Sequence, residues 1–248
     1  MEVHHHPHVE KKNFKEYSLE FIMIFLAVTL GFFAEGLRES ITDHAKENEY
    51  IISMVEDAAT DTANIHIAIR QNDKRVASLD TLATYCFNYT GSQADDEAIY
   101  RLYKRALVHP DMVSPTERTL LQLKNSGGMR LITKKAAVDS IIAYDDMAKK
   151  LADQLVYYER YQNESVNSSF ELLNFKYYQS GLNSKNAAQD YTSAVLLSHD
   201  KIKLVEFGNR ISIYKGVVAF YVSRLNEMND HAIGLIKTLK EQYHLKDE

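Results

Sequence analysis

The sequence predicts an all-α protein in which one N-terminal transmembrane helix continues into a long-helix bundle domain. Only 3 prolines and 9 glycines interrupt the 248 residues, so long stretches are free to be helical. Apolar residues recur three and four positions apart along most of the chain, whereas the alternation typical of strands is scarce. The third observation is Phe21 to Ala34, a run of 14 residues without a charge.

This uncharged run is short for a membrane span, since a bilayer core takes about 20 residues. We therefore extend the predicted span to 17–37, which places Glu20 and Glu35 near its ends, where carboxylates reach the headgroups. A cleaved secretory signal is one alternative, although the residues after Ala34 offer no small-x-small cleavage site. A buried core helix is the other, although such helices usually keep a polar face.

The distribution of basic residues predicts the orientation of the span. Lys11, Lys12 and Lys15 precede it, whereas Arg38 and Lys46 are the only basic residues in the twenty that follow. This bias favours an N-terminus inside the cell. We expect a bacterial inner-membrane protein with three parts: a cytoplasmic His/Lys-rich tail (1–16), a transmembrane helix (17–37) and an extracytoplasmic, periplasmic helical bundle domain (38–248).

The first helix is expected to begin near Asn13 and to carry an apolar face beyond the span, which Thr62 and Asn72 interrupt. That face consists of Ile51, Val55, Ala58, Ile65, Ile69, Val76, Leu79 and Ala83. Residues 88–92 form a turn, and a short helix follows over 94–108. Pro110 ends it, because proline disfavours helical conformation in the residue before it.

The next helix has a clear predicted start and end. Ser114 is expected as its N-cap, Pro115 at its first position, and Glu117 as the acid that closes a capping box. The helix ends at Asn125 to Gly128, where glycine adopts the left-handed capping conformation.

Two long helices are predicted in the second half of the chain. One opens at Met129 and weakens in the polar stretch 163–169, after which 177–186 form a loop and 187–198 a shorter helix. The last helix starts near Lys201. Its predicted core seam alternates four and three apart through Tyr221, Leu225, Met228, Ala232, Leu235 and Leu239.

The N-terminus holds four candidate metal ligands, His4, His5, His6 and His8. Neutral imidazole binds zinc, copper and nickel well. A flexible peptide supplies no fixed geometry, so a physiological site requires several chains to bring their tails together, and adventitious binding or a purification tag is the alternative.

Three further groups have a structural and a functional interpretation. Glu20 and Glu35 are either helix-end residues or, in an oligomer, acidic rings along a cation path. Two acidic clusters, 95–97 and 145–146, are expected to form a helix start and a solvated face. Clustered tyrosines serve packing or a partner surface: Tyr144, Tyr157, Tyr158, Tyr161, Tyr177 and Tyr178.

The composition and the absence of known motifs limit the classes of function that the sequence supports. The net charge of -5 and the absence of a basic block argue against nucleic acid as a partner, and Cys86 is the only cysteine. No catalytic signature is present. We expect a non-catalytic membrane-anchored scaffold or binding module that self-associates or binds another membrane or periplasmic protein. The alternatives are a metal-responsive membrane protein, an oligomeric pore, and a sensor for a small ligand.

Several segments resemble an uncharacterised family of single-pass membrane proteins in Bacteroidota. They are MEVHHH at the start, LGFFAEGLRE at the end of the span, and LQLKNSGGMRLI (Leu121 to Ile132) followed by IIAY (Ile141 to Tyr144). The resemblance implies a single-pass inner-membrane protein with a helical extracytoplasmic domain. It implies no activity.

Overall fold

The computed structural model describes residues 13–108, 110–179 and 191–246. Every regular element in these ranges is helical, which confirms the all-α fold class. The α-helices in chain order are α1 Phe14–Phe87, α2 Gln93–Leu107, α3 Arg118–Asn125, α4 Lys135–Ser169, α5 Lys176–Gln179 and α6 Lys201–Tyr243, with a 3-10 turn at Gly128–Leu131.

The chain divides into two compact units, 1–49 and 50–248. The described part of the first unit is the beginning of α1. Its start near Asn13 is confirmed, because the Asn13 side-chain oxygen accepts from the Phe14 amide (3.1 Å) and Glu16 accepts from the Asn13 amide (3.1 Å). These bonds satisfy amides that a helix start leaves without partners.

The second unit is built on three long helical segments: the α1 residues 50–87, α4 and α6. The helices α4 and α6 run antiparallel, since Lys203 at the start of α6 pairs with Glu171 just after α4 (3.0 Å), and Tyr158 in α4 packs against Tyr221 further along α6. The helix α6 also runs antiparallel to α1, because Gly208 lies beside Cys86 whereas Lys215 binds Asp80.

The core lies between these three segments. The predicted α6 seam is confirmed, since all six of its residues are fully buried. The α1 face is more polar than predicted: Asn72 does not interrupt it but is itself fully buried. Val55, Ile69 and Val76 lie at the edge of the core, whereas Met54, Ala68 and Leu82 occupy its centre.

Two predicted helix positions in the second half of the chain are wrong. The helix α4 starts at Lys135 rather than Met129, because the chain turns through Gly128–Leu131 and Ile132 is extended and nearly buried. Residues 191–198 contain no helix, since their backbone bonds to distant partners: the Leu197 amide donates to the Leu172 carbonyl (2.8 Å) and the Leu196 amide to Asp96 (3.1 Å). Residues 187–190, and most of the predicted loop 177–186, lie outside the described ranges.

Candidate membrane anchor and interaction surfaces

The uncharged run Phe21 to Ala34 forms part of α1, and every one of its side chains is exposed. Its larger apolar side chains are between 49% (Ile22) and 76% (Phe32) exposed. This exposure argues against the core-helix alternative, because the core helix of a soluble protein is mostly buried. Within the described ranges α1 is the one helix long and apolar enough to cross a membrane.

The two glutamates beside this run differ in their surroundings. Glu35 accepts from Nε of Arg38 one turn later (2.9 Å), and both side chains are well exposed. Glu20 is half-buried on the same helix. In a single chain Glu35 thus has a cation of its own, as expected of a helix-end residue, and the acidic ring stays a prediction about an oligomer.

The predicted metal ligands His4, His5, His6 and His8 lie outside the described residues, so a zinc, copper or nickel site there stays a prediction. In the described ranges no three His, Cys, Asp or Glu side chains converge on a position that would hold a metal ion. The thiol of Cys86 is buried, and burial raises its pKa to about 12. A protonated, enclosed thiol is a poor ligand and a poor nucleophile.

Two buried carboxylates of α1 hold the start of α3. Asp61 accepts from the amide (2.9 Å) and hydroxyl (2.7 Å) of Thr116 and from the hydroxyl of Tyr144. Asp57 accepts from the Thr119 amide (3.1 Å) and from Arg118 (2.6 Å). Burial, and then the bond to Asp61, raise the pKa of Tyr144, so this phenol stays a donor.

The predicted capping box at Ser114 is therefore wrong. The helix α3 begins at Arg118, and the residue before it, Glu117, makes no side-chain cap. Pro115 stands outside the helix. Carboxylates of α1, rather than a side chain next to the helix, accept from the backbone amides at its start. Because these residues are distant in sequence, no local sequence pattern predicts the contact.

The non-helical segment before α3 is tied down by further polar contacts. Arg75 donates to the Ala106 carbonyl (2.7 Å) and to Asp111 (3.0 Å), while Asn72 donates to the Asp111 carbonyl (2.8 Å). Tyr158 of α4 donates to the Asn72 side-chain oxygen (2.9 Å). These bonds join α1, α4 and the segment between α2 and α3 into one buried network.

Each acidic cluster contributes a buried carboxylate to the fold, which the sequence did not predict. Asp96 is 3% exposed and accepts from the Tyr89 hydroxyl (2.5 Å), the Leu196 amide (3.1 Å) and, at 3.3 Å, from His199 when that ring nitrogen carries a proton. Asp145 is also buried. Burial alone would raise the pKa of the Asp145 carboxyl. The ion pairs with Lys124 (2.6 Å) and with Lys149 on α4 outweigh burial and lower this pKa.

The tyrosine cluster divides between packing and surface. Tyr144 and Tyr158 are core residues, Tyr161 and Tyr177 are half-buried, and the prediction for Tyr178 concerns a side chain outside the described part. Tyr157 is 55% exposed. It lines a groove of about 470 Å³ between α4 and α6, formed with Gln154, Ile213, Gly216, Val217 and Phe220.

This groove exposes apolar side chains of α6, with Ile213 55% and Phe220 48% exposed. Sequence patterns did not reveal it, because Ile213 and Phe220 lie off the core seam of α6 and look like isolated surface residues. Two neighbouring helices with apolar side chains between them form the kind of surface on which another helix packs.

No family model matches the chain, and neither a curated protein nor a solved structure resembles it. The likeness to the Bacteroidota membrane family therefore stays a prediction. It rests on the motifs at Met1 to His6, at the end of the span and at Leu121 to Ile132.

Proposed function

We propose that this protein is a non-catalytic scaffold or binding module, anchored in a bacterial inner membrane by residues 17–37, and that it self-associates. The tail 1–16 lies in the cytoplasm and the helical bundle in the periplasm, following the lysines before the span. Its partners are the lipid bilayer, further copies of the chain and another membrane or periplasmic protein.

The observation that carries the anchor is the exposure of every side chain from Phe21 to Ala34. Soluble monomers rarely expose contiguous apolar patches above a few hundred Å². The run exposes ten large apolar side chains on one uncharged helical surface. Exposure of this apolar area to water is unfavourable, whereas the hydrocarbon core of a bilayer surrounds all ten side chains with apolar groups.

Two features support a binding role over a catalytic one. The buried polar groups Asp57, Asp61 and Arg75 are engaged by backbone and side-chain partners within the bundle, so they hold the fold together. The exposed groove at Tyr157 and Phe220 offers apolar area without reactive groups.

Self-association is tested by the size of the detergent-solubilised full chain together with disulfide crosslinking in native membranes. Single cysteines introduced at successive positions from Leu26 to Phe32 are expected to crosslink with a period of three to four residues, because packed helices present one face to each other. Cys86 is 1% exposed, so the wild-type chain serves as the uncrosslinked control.

A strictly monomeric particle that forms no crosslink at any position would contradict self-association while leaving the anchor intact. Crosslinking without periodicity would also count against a defined oligomer, since random collision in the membrane gives that result.

A further inference from the structure

Charged residues flank the apolar groove at Tyr157 and Phe220 on both of its helices. Nearer the end of α4 and the start of α6, the same two helices line a polar cavity of about 250 Å³, with Glu164 on one side and Arg210 on the other. Protein interfaces have this composition, since they combine an apolar centre with a polar rim. We call the groove and its flanking charges the α4/α6 face.

The charges of the α4/α6 face nearly balance. Beside the polar cavity the face carries three cations and three carboxylates: Arg160, Lys203, Arg210, Glu164, Glu171 and Glu206. At the other end of the groove it carries two cations and three carboxylates: Lys150, Arg224, Asp146, Asp153 and Glu227. One of these carboxylates, Asp146, pairs with Lys149 of its own helix (3.1 Å). A face with almost no net charge does not select a strongly acidic or basic partner.

Most of these charges already have partners within the chain. The ion pairs join Arg160 to Glu164 (2.9 Å), Lys203 to Glu171 (3.0 Å) and Arg224 to Glu227 (2.6 Å). Within the described residues, four charged side chains of the face make no ion pair: Lys150, Asp153, Glu206 and Arg210. All four are exposed, so each can gain a partner from a second molecule.

Two identical faces meet through a two-fold axis, which has two possible directions here. If the axis is parallel to the helices, α4 of one copy packs on α6 of the other and each residue keeps its level along the bundle. The Glu171–Lys203 pair and the Tyr158–Tyr214 contact show which residues of α4 and α6 share a level. If the axis is perpendicular to the helices, each helix packs on its own copy in the opposite direction.

Opposite charges meet when the axis is parallel to the helices. Glu164 of one copy then lies at the level of Arg210 of the other, and Asp153 lies within one turn of Arg224. Lys150 lies beside the ion pair that Arg224 already makes, so the two charges of that pair largely cancel in their effect on it. The free charges Asp153 and Arg210 therefore both gain a partner of opposite sign.

Like charges meet when the axis is perpendicular to the helices. Along α6 this arrangement brings two pairs of like charge together: Arg210 with Arg224, and Glu206 with Glu227. Along α4 it brings Glu164 to Lys150, which is its one favourable contact between charges. Like charges that face each other across an interface are unfavourable, so the face fits a second copy best through the parallel axis.

We propose that the α4/α6 face binds a second copy of this chain, and that the two copies form a four-helix bundle with each α4 packed on the α6 of the other. The inference rests on the proposed self-association and assigns to it a surface in the second unit. Tyr157, Ile213 and Phe220 of both copies fill the centre, between helices that run antiparallel as in such bundles. The chain's own residues 180–190 do not match this groove, since Leu182 is their one large apolar side chain.

Single cysteines at Asn209→Cys and Ser223→Cys test the proposal in the full chain, treated in native membranes with a short bismaleimide. Both positions are exposed, and they lie one heptad before and one heptad after Gly216. The parallel axis brings each cysteine to its own copy, so each variant is expected to crosslink alone. A mixture of the two variants should give no 209–223 product, because these positions lie about 21 Å apart along a helix.

Two controls accompany the crosslinking. Ala63→Cys introduces an exposed cysteine on α1 and is expected to stay uncrosslinked, so it measures random collision. The wild-type chain measures the reaction of Cys86, which is 1% exposed and is expected to give no product.

A pair of charge reversals separates contact between copies from contact within one chain. In Glu164→Arg or Arg210→Glu alone, like charges face each other twice across the axis, so the crosslinked fraction at position 223 is expected to fall at least about fivefold. Co-expression of the two variants should restore crosslinking between them, because each chain then supplies the charge that the other requires. A defect within one chain would persist in the mixture.

Four outcomes contradict the proposal. Crosslinks along the membrane span without any at positions 209 and 223 exclude this face and leave self-association intact. No crosslink at either place excludes both. A 209–223 product in the mixture assigns the perpendicular axis and overturns the charge pairing. Crosslinking that stays low when the two charge variants are co-expressed shows that these charges act within one chain.

Discussion

At the residue scale, Gly208 marks the closest approach of α6 to α1. A Cβ atom built on it would lie 2.7 Å from a ring carbon of Phe87 and 3.1 Å from the Cβ of Cys86. The Phe87 ring is 39% exposed and can swing aside, but the Cys86 Cβ belongs to a buried backbone position. Glycine is therefore needed here for space.

We expect Gly208→Ala to lower the free energy of unfolding by about 1–3 kcal/mol, because the added methyl forces the two helices apart. Gly216→Ala is the matched control on the same helix: nothing lies within 4 Å of its Cβ position, so removing glycine should stabilise the helix by about 0.5–1 kcal/mol. Thermal unfolding of the full chain in detergent, followed by circular dichroism, measures both. If both substitutions changed the free energy of unfolding in the same direction, the close approach of α6 to α1 at Gly208 would be contradicted.

Asn72 illustrates what a sequence pattern leaves open at a single position. A polar residue within an apolar face predicts an interruption, yet Asn72 is fully buried because Tyr158, 86 positions later, donates to it. Burying an amide is unfavourable unless it is hydrogen-bonded. Only the packing of α4 on α1 supplies that partner, so the core position was not predictable from local spacing.

At the scale of elements, the start of α3 depends on α1 rather than on its own sequence. The predicted end of this helix is confirmed, since it stops at Asn125 and Gly127 has a φ of 69°. The end of this helix requires a residue in the left-handed conformation, so it can be recognised in the sequence by its glycine. The start has no such local marker, because the acceptors for its amides are Asp57 and Asp61 on a different helix.

Asp57→Ala is therefore expected to destabilise the protein by about 1–3 kcal/mol, because the buried Thr119 amide loses its acceptor. Ser114→Ala should change stability by less than about 0.5 kcal/mol, since Ser114 is exposed and caps no helix. Urea unfolding of the full chain in detergent compares the two. A larger loss for Ser114→Ala would restore the capping box and contradict the role of α1.

At the scale of the whole molecule, the membrane anchor is the property on which the proposed function depends. Val28 lies in the middle of the uncharged run. Arginine at the centre of a span costs about 2.5–3.5 kcal/mol, so Val28→Arg is expected to reduce the share of protein that stays in the membrane pellet after an alkaline wash.

Ile67→Arg is the control for this experiment, because Ile67 is equally apolar and 51% exposed but belongs to the second unit. It should leave the pellet fraction unchanged. Wild-type protein in the supernatant, or equal losses for both variants, would show that the run does not hold the chain in a membrane.

Periodicity predicted the fold class, α1, α2 and the core seam of α6 because each depends on local spacing. It failed where backbone groups bond across the molecule, as at 191–198 and at the start of α3. The groove at Phe220 was equally hidden, since it arises only when α4 and α6 lie side by side.

The antiparallel packing of α6 on both α1 and α4 also bears on how the protein is made. Its buried face, from Leu204 to Leu239, covers the apolar faces of helices that leave the ribosome earlier. Until translation has passed that face, Ile51, Leu79 and Leu151 have no complete core to enter. The nascent chain therefore carries exposed apolar surface through most of its synthesis, which is the condition under which chains need chaperones.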